Sequence, residues 1–173
     1  MFMQPREEVI LVDEQDQPVG TEEKFETHRK GLLHRAISVF VFNRKGELML
    51  QKRAKGKYHS GGLWSNTCCS HPRPGEETAA AASRRLQEEM GFTAKVREVF
   101  PLRYRVQFPN GLIENERDHI FIGEHEGAPV LNSEEAEDWK WVTSDALKKG
   151  IKERPEIYTH WLKLSLDDVL AGR

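Results

Sequence analysis

The 173-residue sequence has little cysteine, no long apolar run and no surplus of either charge. Its two cysteines, Cys68 and Cys69, are neighbours in sequence. A disulfide between adjacent residues is strained and rare, and no third thiol exists to pair with either. A disulfide framework is therefore excluded, and at least one thiol is left for packing or chemistry. The longest apolar run, Val39-Phe40-Val41-Phe42, falls far short of the roughly 20 residues that span a bilayer. Met1 to Glu8 carries no apolar signal region, so the chain reads as cytoplasmic, with no membrane partner. Lys and Arg number 26 against 28 Asp and Glu, a net charge of −2. No global basic field exists to hold nucleic acid, although a local basic pocket can still bind a small phosphate. No repeat, low-complexity tract or linker interrupts the chain. Against a prior of about 150 residues per domain, residues 1–173 read as one domain.

Alternation or β-branched and aromatic enrichment predicts strands at Glu8-Val12, Ala36-Phe42, Leu48-Arg53, Val96-Val106, Asp118-Glu124 and Trp139-Val142. The Asn43-Arg44-Lys45-Gly46 turn makes the second and third a hairpin. Thr78 to Met90 is Ala-rich, apolar at Ala79, Ala82, Leu86 and Met90, and followed by Gly91, which predicts a capped helix. Weaker helical patterns run from Ser144 to Lys149, ending at Gly150, and from Pro155 to Leu170, beginning at a proline. Strands and helices mix without strict alternation, which points to a mixed sheet flanked by helices.

The segment Ser70 to Phe92 resembles a degenerate Nudix box: Gly, five residues, Glu, seven residues, then Arg-Glu-(apolar)-x-Glu-Glu-x-Gly-(apolar). Ser70 stands for the first Gly and Arg85 for a Glu, while Glu76, Arg84, Glu88, Glu89, Gly91 and Phe92 match. In that motif a helix presents carboxylates to a divalent cation that bridges a diphosphate. Arg85 and Glu89 lie at i,i+4, on one helix face. Standing alone, such a helix would read as a solvated face of Arg/Glu pairs. It is accompanied by Cys69-x-His71 and Glu114-x-Glu116, i,i+2 pairs that extended backbone points to one side, and by His28 and His34. A lone histidine is usually a surface or satisfied core residue. Three histidines and two carboxylates beside a free thiol favour a site.

The combination resembles the type I isopentenyl-diphosphate isomerases, whose fold is Nudix-like. Trp64-Ser65-Asn66-Thr67-Cys68-Cys69-Ser70-His71-Pro72 is similar to the family's cysteine segment, and Tyr104-Arg105 with Glu114-Asn115-Glu116 to its glutamate segment. Glu23-Lys24-Phe25 with His28 and His34 resembles its first metal segment, one residue shorter between the histidines. Arg53 with Lys57 resembles its basic segment, and Trp161 falls where the family has an active-site tryptophan. The resemblance runs from about Val9 to Trp161.

It implies an α/β fold, a Nudix-like α/β/α sandwich with a mixed central sheet, and interconversion of isopentenyl and dimethylallyl diphosphate. It implies Cys69 and Glu116 as the catalytic pair, assisted by Tyr104 and Trp161. Lys24, Arg53, Lys57 and Arg85 would contact the diphosphate of a small-molecule substrate. One divalent ion (Mn2+, Zn2+ or Mg2+) would bind His28, His34, His71, Glu114 and Glu116, and Glu89 would help hold a Mg2+ against the diphosphate. Cys69 rather than Cys68 is assigned because it shares a face with His71, whereas Cys68 points away into packing. The chemistry asks for such groups: moving the double bond needs protonation at one carbon and deprotonation at another through a tertiary carbocation, which an aromatic face stabilises. A Nudix-type pyrophosphohydrolase of nucleoside diphosphate derivatives is the alternative. Arg85 argues against it, because a cation activates no water. A non-catalytic metal or nucleotide-binding module is a third reading and leaves Cys69, Trp161 and the paired glutamates unexplained. The assembly is a monomer or homodimer.

Overall fold

The computed structural model describes residues 6–173. In chain order its elements are β1 (Glu8–Val12), β2 (Pro18–Glu23), α1 (Lys24–Lys30), β3 (His34–Phe42), β4 (Leu48–Arg53), β5 (Trp64–Ser65), β6 (Cys68–Ser70), α2 (Thr78–Met90), β7 (Val96–Gln107), β8 (Ile113–Glu124), β9 (Ala136–Val142), α3 (Ser144–Glu153), a 3-10 turn (Pro155–Ile157) and α4 (His160–Ala171). Among the described residues the nine strands form one mixed sheet. β3 is its axis. It runs parallel to β8 from His34↔Glu116 to Phe42↔Glu124, and its other edge is shared in turn by β1 at His34, β6 at Ile37 to Val39 and β4 at Phe42.

β3 is buried on both faces, and its alternation divides the core in two. Ile37, Val39 and Val41 pack with Phe121 against Ala81, Ala82, Leu86 and Met90 of α2. Phe40 and Phe42 pack with Ile120 and Ile122 against Leu147 of α3 and Leu162, Leu166 and Val169 of α4. Helices on both faces of a mixed sheet are the expected α/β/α sandwich. Gly91 closes α2 at φ 71° and donates its N–H to Gln87 O, as the sequence predicts. No helix among the described residues is long and apolar enough to cross a membrane.

Two expectations are corrected. The helix from Ser144 continues through Gly150 to Glu153. Gly150 is not its stop; it lies against the Tyr158 hydroxyl, where a Cβ would collide. Nor is Pro155 to Leu170 one helix. After the 3-10 turn, Tyr158 is extended at φ −116°, ψ 145°. It bridges Trp64, and the Thr159 N–H donates to Trp64 O at 2.9 Å. Backbone groups committed to β5 cannot continue a helix, so α4 starts only at His160, with Trp161 as its second residue.

Candidate functional site

The site occupies one end of the sheet face that carries α4. Side chains alternate along a strand, so the even-numbered residues of β3 and β8 share this face. Phe40, Phe42, Ile120 and Ile122 build its core, and the same rows continue outward as Ser38 and His34, and as Asp118, Glu116 and Glu114. All five polar residues are at most 5% exposed. β6 adds Cys69, and the chain just beyond it adds His71.

His28 arrives from α1, a seven-residue helix whose start is capped by the Glu23 carboxylate, which accepts from the N–H groups of Phe25 and Glu26. Gly31 ends it at φ 67°. That left-handed turn brings the chain back so quickly that the His28 and His34 rings lie 4.9 Å apart between centroids. The shorter histidine spacing is therefore compatible with a meeting of the two rings.

Ring contacts fix what these histidines present. Nδ1 of His28 lies 2.7 Å from Lys24 O, and Nδ1 of His34 lies 2.9 Å from Leu32 O. A carbonyl only accepts, so each Nδ1 carries a proton, and the neutral His28 ring turns its Nε2 lone pair inward. His34 Nε2 is 3.2 Å from His71 Nε2 and 3.4 Å from Glu116 Oε1, and His71 Nε2 is 3.2 Å from the same oxygen. Around an ion with bonds of about 2.1 Å, adjacent octahedral ligand atoms are about 3 Å apart. His28 Nε2 is buried with no hydrogen-bond partner. Burial, with some help from the neighbouring His34, lowers the His28 pKa to about 4, and burial lowers that of His71 to about 3. Both are uncharged and competent as ligands at neutral pH. His28, His34, His71 and Glu116 form one buried group of the size that holds a metal ion, and His28, His59 and Glu114 form an overlapping one.

The carboxylates point to a cation by a separate argument. Burial and repulsion from Glu116 hold the carboxyls of Glu114 and Asp118 well above their ordinary range. Burial also works to raise Glu116, but hydrogen bonding to His34 and His71 outweighs it and keeps Glu116 well below. With the side chains alone, the row holds a proton least tightly at Glu116 and more tightly at Glu114 and Asp118 on either side. Tyr104 spans two of them, with its hydroxyl 2.9 Å from Glu114 Oε2 and 2.7 Å from Glu116 Oε2. One hydroxyl hydrogen suffices if protonated Glu114 donates to Tyr104 and Tyr104 donates to Glu116. A divalent ion would offset the charge of this row and supply the partner that His28 Nε2 lacks.

The adjacent cysteines part company at β6. Cys68 is 0% exposed in the α2 half of the core. Cys69 faces a cavity also lined by Ser38, Tyr104, Glu114, Glu116 and Trp161. Burial, with a smaller push from Asp118, raises the Cys69 thiol to about 12, so the proton rests on sulfur. Cys69 lies on β6 and Glu116 on β8, to either side of β3. The Trp161 indole forms a further wall, with the Arg53 guanidinium 5.2 Å from its ring centroid.

A second cavity adjoins the first. Lys24, Arg53, Lys57, Arg85 and Glu89 line it, and it shares Arg53, Tyr58, Cys69, Ser70 and His71 with its neighbour. The four sequence-predicted cations thus converge from α1, β4, the chain after β4 and α2. Arg53 Nε and Arg85 Nε are buried donors without partners. Other donors here are held by carboxylates: Lys24 by Glu7 at 3.0 Å, Lys57 by Glu135 at 2.6 Å, and Arg85 by Glu88, Glu89 and Glu135 at 2.6, 2.6 and 3.0 Å. Glu89 also accepts from Gln51 Nε2 at 2.9 Å.

Sequence reasoning missed His59, Asp118, Asn66 and Glu135. His59 is 5% exposed and stacks on Phe108 at 4.4 Å. Its Nε2 approaches Glu114 Oε1 at 2.8 Å without hydrogen-bond alignment. Asp118 was legible, since it continues the i,i+2 series of Glu114 and Glu116. His59 and Glu135 lie in irregular chain, where no period marks the inward positions.

The match to known proteins is extensive. Residues 32–162 match the family model for the NUDIX domain. The chain is 57% identical over 167 residues to isopentenyl-diphosphate Delta-isomerase 2 of Aromatoleum aromaticum, covering 96% of this chain and 88% of that one. It is 50% identical over 161 residues to the isopentenyl-diphosphate Delta-isomerase of Pectobacterium atrosepticum, covering 93% and 90%. Its fold is similar to that of a Deinococcus radiodurans protein, with a TM-score of 0.71 at 18% identity over 85% of this chain and 90% of that one. A MutT NUDIX hydrolase from Burkholderia pseudomallei gives a TM-score of 0.63 at 19% identity over 78% and 96%.

Proposed function

The chain belongs to the NUDIX domain family and, within it, to the isopentenyl-diphosphate Delta-isomerases, and from that premise we propose that it interconverts isopentenyl and dimethylallyl diphosphate in the paired cavities. The observation that carries this reading is their adjacency: the cavity lined by four cations shares Arg53, Tyr58, Cys69, Ser70 and His71 with one lined by a thiol, a carboxylate and an indole. The cations suit a diphosphate by charge, and the second cavity sets an acid, a base and an aromatic face beside one another, the groups that moving a double bond requires.

In this reading Lys24, Arg53, Lys57 and Arg85 bind the diphosphate, and the carbon chain lies between Cys69 and Glu116. The forward reaction adds a proton to the terminal alkene carbon, which becomes a methyl group. The charge then sits on the tertiary carbon, facing the Trp161 ring. Loss of a proton from the chain carbon next to it, on the diphosphate side, forms the new double bond and restores neutrality. Cys69 and Glu116 are the two groups that give and take these protons, and Tyr104 holds the Glu116 carboxylate in place. Burial of Trp161, at 3% exposure, keeps out water that would capture the cation as an alcohol.

His28, His34, His71, Glu114 and Glu116 would hold one divalent metal ion, with His59 against Glu114, and Glu89 would hold Mg2+ against the diphosphate. A bound ion supplies positive charge that keeps the glutamates ionised and in place. Hydrolysis lacks support, because Arg85 carries a guanidinium already tied to three carboxylates where a Nudix hydrolase has a glutamate.

Incubation of the purified protein with isopentenyl diphosphate and Mg2+ should yield dimethylallyl diphosphate. In deuterated water the label should enter the product's methyl group. Release of phosphate from nucleoside diphosphate derivatives without isomer formation would overturn the reading in favour of a pyrophosphohydrolase.

A further inference from the structure

Asn66 sits in the two-residue link between β5 and β6, 0% exposed, and its side chain makes contacts at both ends. The amide nitrogen donates to Val39 O at 3.0 Å and to Cys68 O at 3.1 Å. Both partners are carbonyls, so this end must be the nitrogen. The oxygen then points toward Cys69 and Trp161, two residues of the cavity wall, and three donors meet it. Cys69 Sγ lies 2.9 Å away, Ser65 Oγ 3.0 Å and Trp161 Nε1 3.1 Å. The indole N–H also reaches Ser65 Oγ at 3.0 Å, and the Thr159 hydroxyl donates to that oxygen at 3.3 Å. An indole nitrogen can only donate. A flipped amide would set N–H against N–H at Trp161 and leave two carbonyls unpaired, so the partners themselves fix the orientation.

We propose that Asn66 is a positioning residue for the isomerisation: its side-chain oxygen seats the Cys69 thiol and the Trp161 indole in one frame. This rests on the isomerase reading given above. Cys69 comes from the sheet and Trp161 from the first turn of α4, and their spacing decides whether one substrate can touch both. A single amide oxygen meets both, and its nitrogen end is fastened to the backbone of β3 and β6. The sulfur is thereby seated at the cavity wall by the bond its hydrogen makes to Asn66, and the ring edge is pinned at Nε1, which leaves the ring face to the substrate. Asn66 touches no reacting atom and acts only through these two residues.

Thr67 supplies the comparison. It is the next residue of the same link, also 0% exposed, and it bridges strands by donating to Met49 O at 2.7 Å and accepting from Val41 N at 2.9 Å. Its side chain bonds neither Cys69 nor Trp161. Asn66→Ala and Thr67→Val should both lower Tm. Misplacing a reacting group by about 1 Å costs about a hundredfold, so Asn66→Ala should lower kcat by about that factor with KM for isopentenyl diphosphate within about threefold. Thr67→Val should leave kcat within about threefold of wild type. Trp161→Phe, which keeps a ring but removes its N–H, should lower kcat by about tenfold, and should cost much less when Asn66 is already alanine, because the shared oxygen is gone. The proposal is overturned if Asn66→Ala keeps kcat within about threefold, if Thr67→Val loses as much, or if the Asn66 and Trp161 effects simply multiply. Should Asn66→Ala fail to fold, an unchanged kcat in Trp161→Phe alone would overturn it. Wild-type protein that makes no dimethylallyl diphosphate would instead defeat the isomerase reading itself.

Discussion

If the row of acids on β8 is built for a divalent ion, ion affinity must rise with pH. Of the five side chains assigned to the ion, His28 and His71 are neutral well below pH 7, with pKa values of about 4 and about 3. They surrender no proton on binding. Glu116 is already ionised and surrenders none either. Glu114 is different, because burial and the neighbouring Glu116 charge raise its carboxyl well above the ordinary range. To ligate, it must lose that proton. The ion-bound state therefore carries fewer protons than the free state, and affinity increases as pH rises until Glu114 ionises unaided. One proton released means about tenfold tighter binding per pH unit, or about 1.4 kcal/mol. Asp118, raised by burial and the same neighbour, adds to the slope when the ion relieves that repulsion. Mn2+ titrated calorimetrically between pH 7 and 8, in buffers of different protonation enthalpy, counts the protons directly. This range lies above the titration of an ordinary histidine. The expected count is one to two. Glu114→Gln, which has nothing to release, should remove about one. An affinity independent of pH, with no buffer-dependent heat, would refute both the raised Glu114 carboxyl and its place at the ion.

Two further tests separate chemistry from packing. Cys69→Ala should lower kcat by about a hundredfold to ten-thousandfold with little change in Tm, whereas Cys68→Ala should keep kcat and lose about 1 kcal/mol of stability from the core. Steady-state kinetics and thermal melts on the pair check this, and equal kinetic losses would undo the assignment by strand face. Arg85→Lys should raise KM for isopentenyl diphosphate by about tenfold to a hundredfold by removing the forked contact to an anion. Arg85→Ala should in addition lower Tm, since Glu89, at 3% exposure, would lose its cation. A kinetically silent Arg85→Ala would end the diphosphate role.

The central strands were legible because burial on both faces selects β-branched and aromatic residues, as in Ile37 to Phe42. Their polar ends were not. The expected start at Ala36 lies two residues inside the true start at His34, and the expected start at Asp118 lies five inside Ile113. Glu114-Asn115-Glu116-Arg117 has poor strand propensity, and pairing with β7 from Tyr104↔Glu116 to Gln107↔Ile113 overrides it. β2 and α1 went unread for a similar reason. Pro18, Gly20 and a run of charges in 22–30 carry no apolar period, and α1 is held by its Glu23 cap, the Gly31 turn and the burial of Thr27 and His28.

The candidate site was legible through the same alternation that blurred the strand ends. Along β8 the inward positions read Glu114, Glu116, Asp118, Ile120, Ile122, and along β3 His34, Ala36, Ser38, Phe40, Phe42. One face therefore passes from apolar core to acid and imidazole with no break in register. The core end fixes that register, because a shift by one residue would drive Phe40, Phe42, Ile120 and Ile122 into the α2 side, where Val39, Val41 and Phe121 already fill the space. The same slip would turn Glu114, Glu116 and Asp118 outward and disperse the row. Hydrophobic burial at one end of two strands thus determines where the polar groups at the other end point. Groups costly to bury are held together by residues that contribute nothing to the chemistry. His59, Asn66 and Glu135 lie off those strands, and only the folded chain reveals them.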